Sequence, residues 1–281
     1  YLGLRSHPAV LEAALEATRR YGTGSGSSRL IAGTSECHVE LEEALAEAFG
    51  SEAALAFSSG YHANLAILTT LAVRGDLLCS DGLNHASIVD GCRLSRASVE
   101  VFEHGDRGAL ETALGTRCEG LRWVVAEGLY SMDGDRVDLV GYAASAEAAG
   151  ATSLVDEAHS VGQLGPRGLG ACEQVGIAGR VTARMGTLGK SLGSHGAFVL
   201  CSAEIRELLV SSARSLLYTT ALPPGSCAAA RAALQLMLED DARREALARN
   251  AAHLWEGVKQ LGLPTSPEPT AIVPAVIGPE A

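Results

Sequence analysis

Aromatic residues make up only 4% of this 281-residue chain, so a core drawn from its 47% hydrophobic residues must be built mainly from Ala, Leu and Val. Paired cysteines are absent too. The seven cysteines (Cys37, Cys79, Cys92, Cys118, Cys172, Cys201 and Cys227) lie far apart with no C-x-x-C spacing, which indicates neither a disulfide framework nor a zinc site. They read instead as small buried hydrophobes in a reducing compartment. No apolar run approaches the ~20 residues that a bilayer-spanning helix needs, and no signal-peptide pattern occurs. A cytoplasmic protein that does not use a membrane is expected. Positive charge is scarce: 22 Lys and Arg stand against 33 Asp and Glu, a net charge of −11 with no basic stripe. Binding a phosphate backbone needs concentrated positive charge, so no nucleic-acid partner is expected. The chain also opens on Tyr1 without an initiator Met and stops at Pro279-Glu280-Ala281, just after a strand-like run over 271–277. Both ends are expected to be cut.

Glycine, by contrast, is abundant, with 32 residues against 9 prolines, which suits many tight strand-to-helix turns. Helices are predicted over 8–21, with Pro8 in the first turn and Gly22 after the end, and over 38–49, closed by Gly50. Between them, Gly22-Thr-Gly-Ser-Gly-Ser-Ser-Arg-Leu-Ile-Ala-Gly33 follows no strand, so it fails the context of a dinucleotide-binding fingerprint. From residue 53 the pattern becomes strand, turn, helix, repeated, with apolar runs at 53–57, 76–80, 121–126, 151–155, 181–185 and 197–201. That alternation predicts an α/β fold, a mostly parallel sheet flanked by helices, with ligands bound at the carboxyl ends of strands. After Leu222-Pro-Pro-Gly225, Leu247, Leu254, Val258 and Leu261 mark one face of a helical region. Pro264 to Pro269 reads as a connector to a smaller, truncated C-terminal domain. The expected organisation is 1–50, a helical segment with a Gly-rich loop; 51–225, the α/β large domain; and 226–281, a connecting helix and the start of the second domain.

One lysine poses a choice. Gly189-Lys190-Ser191, with Asp156-Glu157-Ala158-His159, resembles the two halves of a helicase-type NTPase. The phosphate loop needs a glycine five residues before its Gly-Lys, however, and Arg184 stands there. The Lys loop also follows the acidic strand instead of preceding it, and 181–185 is weakly apolar for a central strand. The other reading is a Schiff-base lysine for pyridoxal phosphate. That cofactor asks for an amine, an anion near the pyridine nitrogen, a phosphate site and a group on the ring face. Lys190, the strand-end Asp156, the helix start at Ser59-Gly60-Tyr61 and His85 supply them in turn. Each has a plainer reading alone: Asp156 as a helix cap, Gly60 as a turn glycine, His85 or His159 as structural, Lys190 as a surface lysine. Together, in this order, they favour the cofactor.

Thr187-Leu-Gly-Lys190-Ser-Leu-Gly-Ser-His-Gly196 resembles the lysine signature of the α-oxoamine synthases, a pyridoxal-phosphate family with the aspartate-aminotransferase fold (fold type I). The Gly22–Thr34 loop, Asn84-His85-Ala-Ser, Glu127-Gly-Leu-Tyr-Ser131-Met-Asp-Gly-Asp, Val155-Asp156-Glu-Ala-His159-Ser-Val-Gly and Tyr218-Thr-Thr-Ala-Leu-Pro-Pro224 resemble further family blocks in family order. The resemblance implies Lys190 and His85 as catalytic residues, with Lys190 holding the cofactor and removing the substrate Cα proton, and His85 stacked on the ring. It implies Asp156 at the pyridine nitrogen, His159 and Ser131 at the ring hydroxyl, and Gly60, Tyr61 and Thr187 on the phosphate side. Thr219 and Thr220 would reach the phosphate of a neighbouring subunit, which implies a homodimer. The implied reaction is a decarboxylative condensation of an amino acid with an acyl-CoA or acyl-carrier-protein thioester. A non-catalytic partner subunit is the contrasting reading, and the presence of Lys190, Asp156 and His85 opposes it. The family's substrate-carboxylate arginine lies in a C-terminal region outside this sequence, so weak cofactor binding and little turnover are expected of the 281-residue chain.

Overall fold

A computed structural model describes residues 1–278; Pro279, Glu280 and Ala281, which belong to the expected C-terminal segment, lie outside the described residues. Two helices come first, α1 (Pro8–Tyr21) and α2 (Glu36–Phe49). There follow β1 (Ala53–Phe57), α3 (Gly60–Leu71), β2 (Leu77–Asp81), α4 (Ala86–Leu94), β3 (Ser98–Phe102), α5 (Arg107–Leu114), β4 (Arg122–Glu127), α6 (Leu139–Ala148) and β5 (Thr152–Asp156). The chain continues through α7 (Ala171–Gln174), β6 (Ala183–Thr187), β7 (Ala197–Cys201), α8 (Ala203–Ser212), α9 (Arg214–Leu217), α10 (Pro224–Glu239) and α11 (Asp241–Gln260). The strands form one seven-stranded sheet in the order β1-β7-β6-β5-β4-β2-β3. Pairing from β3 across to β6 is parallel, and β7 alone runs against both of its neighbours.

Side chains alternate across the sheet, so each strand feeds two cores. Leu55, Val199, Leu154 and Met185 pack under α3, α4, α8 and α9. On the opposite face, Ala54, Phe198 and Leu200 meet α1, α2 and α10, while Leu77, Val124 and Val155 meet α5, α6 and α7. The first fifty residues therefore share a core with the sheet: Leu41 and Leu45 of α2 are fully buried in it. The glycine-rich loop after α1 is tied down by Arg29, which donates to both oxygens of Glu42 at 2.6 and 3.1 Å, and by Ala221 N–H on the Ser27 carbonyl at 2.9 Å. All seven cysteines are free, and only Cys118 is not buried. No helix among the described residues is long and apolar enough to cross a membrane.

Two expectations need correction, and two strands depart from what their sequence signals. Residues 271–278 run as irregular chain, not as a strand. Pro274 lacks an N–H there, and no described strand lies beside it to pair with. On α11, Val258 is buried, but Leu254 and Leu261 are 56% and 76% exposed because nothing described packs over them. Residues 183–187 are a central strand despite their weak apolarity: Arg184 is buried, donating to the Phe49 carbonyl at 3.3 Å with its guanidinium over the Phe49 ring. The edge strand β3 gave no apolar run to read, since all but Phe102 are exposed.

Candidate active site

The carboxyl ends of neighbouring strands bring polar residues together. Glu127 ends β4 and Asp156 ends β5, and the register sets them side by side. Thr187 ends β6, α3 starts at Gly60, and His85 caps α4. They open on one cleft of about 180 Å³ that gathers seven of the expected residues: Gly60, Tyr61, His85, Asp156, His159, Thr187 and Lys190. Ser87, Glu127, Ala158 and Met185 complete its lining.

Lys190 sits in the tight turn between β6 and β7. Gly193, at φ +63°, lies so close to Arg5 that a Cβ would stand 2.5 Å from the Arg5 nitrogen. Only glycine meets both demands. Ser191 Oγ–H donates to the Val161 carbonyl at 2.6 Å and fixes the turn on the segment that follows β5. The Lys190 amine lies 2.6 Å from His159 Nε2, and His159 Nδ1 lies 2.7 Å from the Tyr1 hydroxyl. Burial lowers the Lys190 pKa, with Asp156 and Glu127 pulling the other way. Burial, then the positive charges of Lys190 and His85, push His159 down to about 4. A neutral imidazole has one donor and one acceptor. With Nε2 accepting from the ammonium, Nδ1–H donates to Tyr1; reversing both bonds serves the neutral amine.

Asp156 is buried, at 3% exposure. Its Oδ2 accepts from Asn64 Nδ2 at 2.8 Å and its Oδ1 from Ala158 N–H at 2.9 Å. Asn64 also donates to Ser87 Oγ at 2.9 Å, and Ser87 Oγ lies 2.8 Å from His85 Nδ1. One hydrogen-bonded chain thus runs from the His85 ring to the Asp156 carboxyl. Burial raises the Asp156 pKa, against the bonds from Asn64 and Ala158 and the charges of Lys190 and His85. Burial and the neighbouring Asp156 push Glu127 up to about 8, although its Oε1 accepts the His85 N–H at 2.6 Å. The strand-end pair therefore lies in a setting that favours a cationic partner.

The donor set fits pyridoxal phosphate on these grounds. Asp156 is a buried acceptor facing the cleft with no Lys or Arg ion pair among the described residues. The first N–H groups of α3, at Gly60 and Tyr61, have no intrahelical acceptor, and the missing Gly60 side chain leaves that end open, with only the Met185 Cε within 3.4 Å of a built Cβ. Thr187 Oγ1 lines the cleft while donating to the Gly196 carbonyl at 3.1 Å. Tyr61 turns its hydroxyl to Asp90.

Three expected residues do not line the cleft. Ser131 lies half-buried in the loop 128–138, Thr219 is half-buried, and Thr220 is exposed. The Thr220 carbonyl accepts from Ser58 Oγ at 3.4 Å. Conversely, Tyr1, Asn64, Ser87 and Glu127 went unassigned from sequence. Asn64 left a readable signal, a lone amide among the buried Ala63, Ala66 and Ile67 of α3. Glu127 left another, an acid at the end of an apolar strand. Tyr1 left none, since its partner is 158 residues away.

An open sheet with a half-buried amine, a buried carboxylate and a bare helix start at its carboxyl edge is a cofactor enzyme's architecture. The chain belongs to the aminotransferase class I and II family, whose model matches residues 1–281. It is 50% identical to the 8-amino-7-oxononanoate synthase of Geobacter sulfurreducens, over 99% of this chain and 72% of that one. The protein of the same name from Methylococcus capsulatus is 45% identical, over 100% and 73%. Among solved structures, a serine palmitoyltransferase from S. paucimobilis with a bound PLP–myriocin aldimine matches with a TM-score of 0.96 and 37% identity, over 100% of this chain and 73% of that one. The 8-amino-7-oxononanoate synthase of Francisella tularensis matches with a TM-score of 0.82 and 31% identity, over 94% and 75%.

Proposed function

We propose that the chain catalyses the reaction of 8-amino-7-oxononanoate synthases with pyridoxal 5'-phosphate as cofactor. L-alanine is acylated at Cα by a pimeloyl thioester, from CoA or a carrier protein; carbon dioxide and the free thiol leave, and 8-amino-7-oxononanoate is formed for biotin synthesis. The observation that carries this reading is the Lys190 amine, held in one cleft with the buried Asp156 in a chain half identical to a synthase of that name.

When bound, the cofactor supplies an aldehyde for an amine and an electron sink for a carbanion. The chain supplies the rest. Burial lowers the Lys190 pKa and so enlarges its neutral fraction, which a nucleophile and a Cα base both require. His159 takes or returns a proton at Nε2 and would serve the ring hydroxyl; Ser131 would join it only if the loop 128–138 brought it into the cleft that it does not line here. Asp156, oriented by Asn64 and Ala158, holds a protonated ring nitrogen; its low-dielectric setting strengthens that attraction. Gly60, Tyr61 and Thr187 form the phosphate side. His85, fixed through Ser87 and its own N–H on Glu127, covers the ring. Thr219 and Thr220, which do not line their own cleft, reach the site of a second copy in a homodimer. The compartment proposed is the cytoplasm, in keeping with seven unpaired thiols.

Loaded with pyridoxal 5'-phosphate, the protein is expected to show a visible absorption band that borohydride abolishes and Lys190→Ala lacks. With L-alanine and pimeloyl-CoA it should release CoA at a low rate, in line with the little turnover expected of these 281 residues. An intact band in Lys190→Ala would remove that lysine from its role. Turnover of glycine with acetyl-CoA, but not of alanine with pimeloyl-CoA, would reassign the chain as a glycine C-acetyltransferase.

A further inference from the structure

Beside the cleft, three titratable side chains that the proposed reaction does not use form a closed cluster. His104, in the turn between β3 and α5, places Nδ1 2.7 Å from Asp81 Oδ1 and Nε2 2.8 Å from Asp135 Oδ2. A neutral imidazole has a single N–H, so satisfying both carboxylates requires the imidazolium. Asp81, the last residue of β2, is 1% exposed; its Oδ1 also accepts from Leu83 N–H at 3.0 Å and its Oδ2 from the Tyr142 hydroxyl at 3.3 Å. Asp135 belongs to the loop 128–138, and its carbonyl accepts from Tyr130 N–H at 3.0 Å. The buried Tyr130 ring stands edge-on to His104 with centroids 4.4 Å apart, and the Tyr130 hydroxyl accepts from Glu127 N–H at 3.2 Å.

We infer that His104 is a positioning residue. As an imidazolium gripped by Asp81 and Asp135, it latches the loop 128–138 to the end of β2 and, through Tyr130, fixes the strand end that carries Glu127 into the cleft. Glu127 in turn holds the His85 backbone, so the latch governs two cleft residues without touching a reacting atom. The role in turnover rests on the cleft being the active site proposed above; the latch itself does not. On its far side the loop is braced separately, by Arg136 on Glu268 and Gln174 and by Thr270 on the Gly134 carbonyl. Loss of the latch should therefore loosen the loop locally and leave the sheet intact.

The titratable groups facing His104 are Asp81 from β2 and Asp135 and Tyr130 from the loop; Tyr142 from α6 acts on Asp81. Burial pushes both phenols up, so they stay neutral. Asp106, at the start of α5, is engaged with Ala109 N–H. Burial pulls the His104 pKa down, but the bonds and charges of Asp135 and Asp81 outweigh it and raise it. The imidazolium's stabilisation is then complete below the ordinary histidine value and is lost as pH rises through the higher folded value.

Hydrogen–deuterium exchange over 128–138, corrected for intrinsic rates, tests this in the wild type, His104→Gln and Asp135→Asn, alongside an NMR titration of the wild-type imidazole. Each folded variant should exchange about tenfold faster in the loop with β5 unchanged, as expected for the loss of a charge-assisted hydrogen bond. Wild-type loop exchange should quicken as the imidazole titrates, and kcat of the loaded enzyme should fall about tenfold in the variants with its alkaline decline flattened. Unchanged loop exchange in a folded variant, or a wild-type imidazole titrating below the ordinary value, would overturn the latch. Faster exchange with kcat intact would overturn the positioning role. A wild type that does not turn over alanine and pimeloyl-CoA refutes the proposed reaction instead, while the exchange and titration still decide the latch.

Discussion

Glu127 and Asp156 are paired across two parallel strands, both buried, and two adjacent carboxylates there cannot both ionise freely. Burial raises both pKa values, and Glu127 is pushed from 4.5 to about 8, by burial first and by the charge of Asp156 second. The unfolded chain gives up this proton near the ordinary value, whereas the folded chain keeps it to about 8. Between those values the folded state holds more protons, so its stability falls as pH rises through the window. Glu127→Gln keeps an oxygen for the His85 N–H and removes the titration. Without cofactor, its melting temperature should exceed that of the wild type by a margin that grows from about pH 5 to about pH 8.5. A constant margin would mean that this carboxyl titrates normally. The sequence made Lys190, in the glycine-rich turn after β6, and Asp156, at the end of β5, legible because each has a chemically obvious task. It hid Tyr1, and the tie from Asn64 to Ser87, because those roles exist only once segments distant in the chain converge.

At the scale of elements, the helices and strands that could be read were those with apolar periodicity and firm ends. α1, bounded by Pro8 and Gly22, and β1 and β7, continuous buried runs, follow the pattern residue for residue. β3 was illegible because an edge strand carries little apolar signal, and 271–277 misled because a β-rich composition cannot form a strand without a neighbour. β6 shows the same limit from the other side: its centre holds Arg184 and Gly186, which no propensity favours in a buried strand. Gly186 opposes Phe198 of β7, whose ring lies where a side chain would be, with Phe198 Cζ 2.3 Å from a built Cβ. Phe198 cannot swing away, being buried against Phe49 with ring centroids 5.3 Å apart. Gly186→Ala must therefore shift β6 against β7, and with it Thr187 and the turn of Lys190. Overpacking of this kind costs about 1–3 kcal/mol, which thermal melts should show together with weakened cofactor uptake. A neutral Ala substitution would mean that the two strands can part without strain.

For the whole molecule, the question is whether one chain makes a whole site. Its own cleft is furnished by strand ends β4 to β6 and the starts of α3 and α4, yet Thr219 and Thr220 sit outside it, in a segment bonded to the glycine-rich loop. Tyr218 beside them is 75% exposed, and Ile31 at the tip of that loop is 79% exposed. Apolar side chains so uncovered, next to residues expected on the phosphate side, suit a two-fold assembly in which each copy completes the other's site. Coexpression of Lys190→Ala with the double variant Thr219→Val/Thr220→Val separates the arrangements. If the threonines serve the neighbouring cleft, a mixed dimer contains one site with both the native lysine and native threonines, and random pairing should restore about a quarter of wild-type activity although each parent is inactive. If they serve their own cleft, every site in every dimer lacks one or the other, and mixing restores nothing. Absence of recovery in a preparation shown to contain mixed dimers would thus place Thr219 and Thr220 outside the neighbour's site.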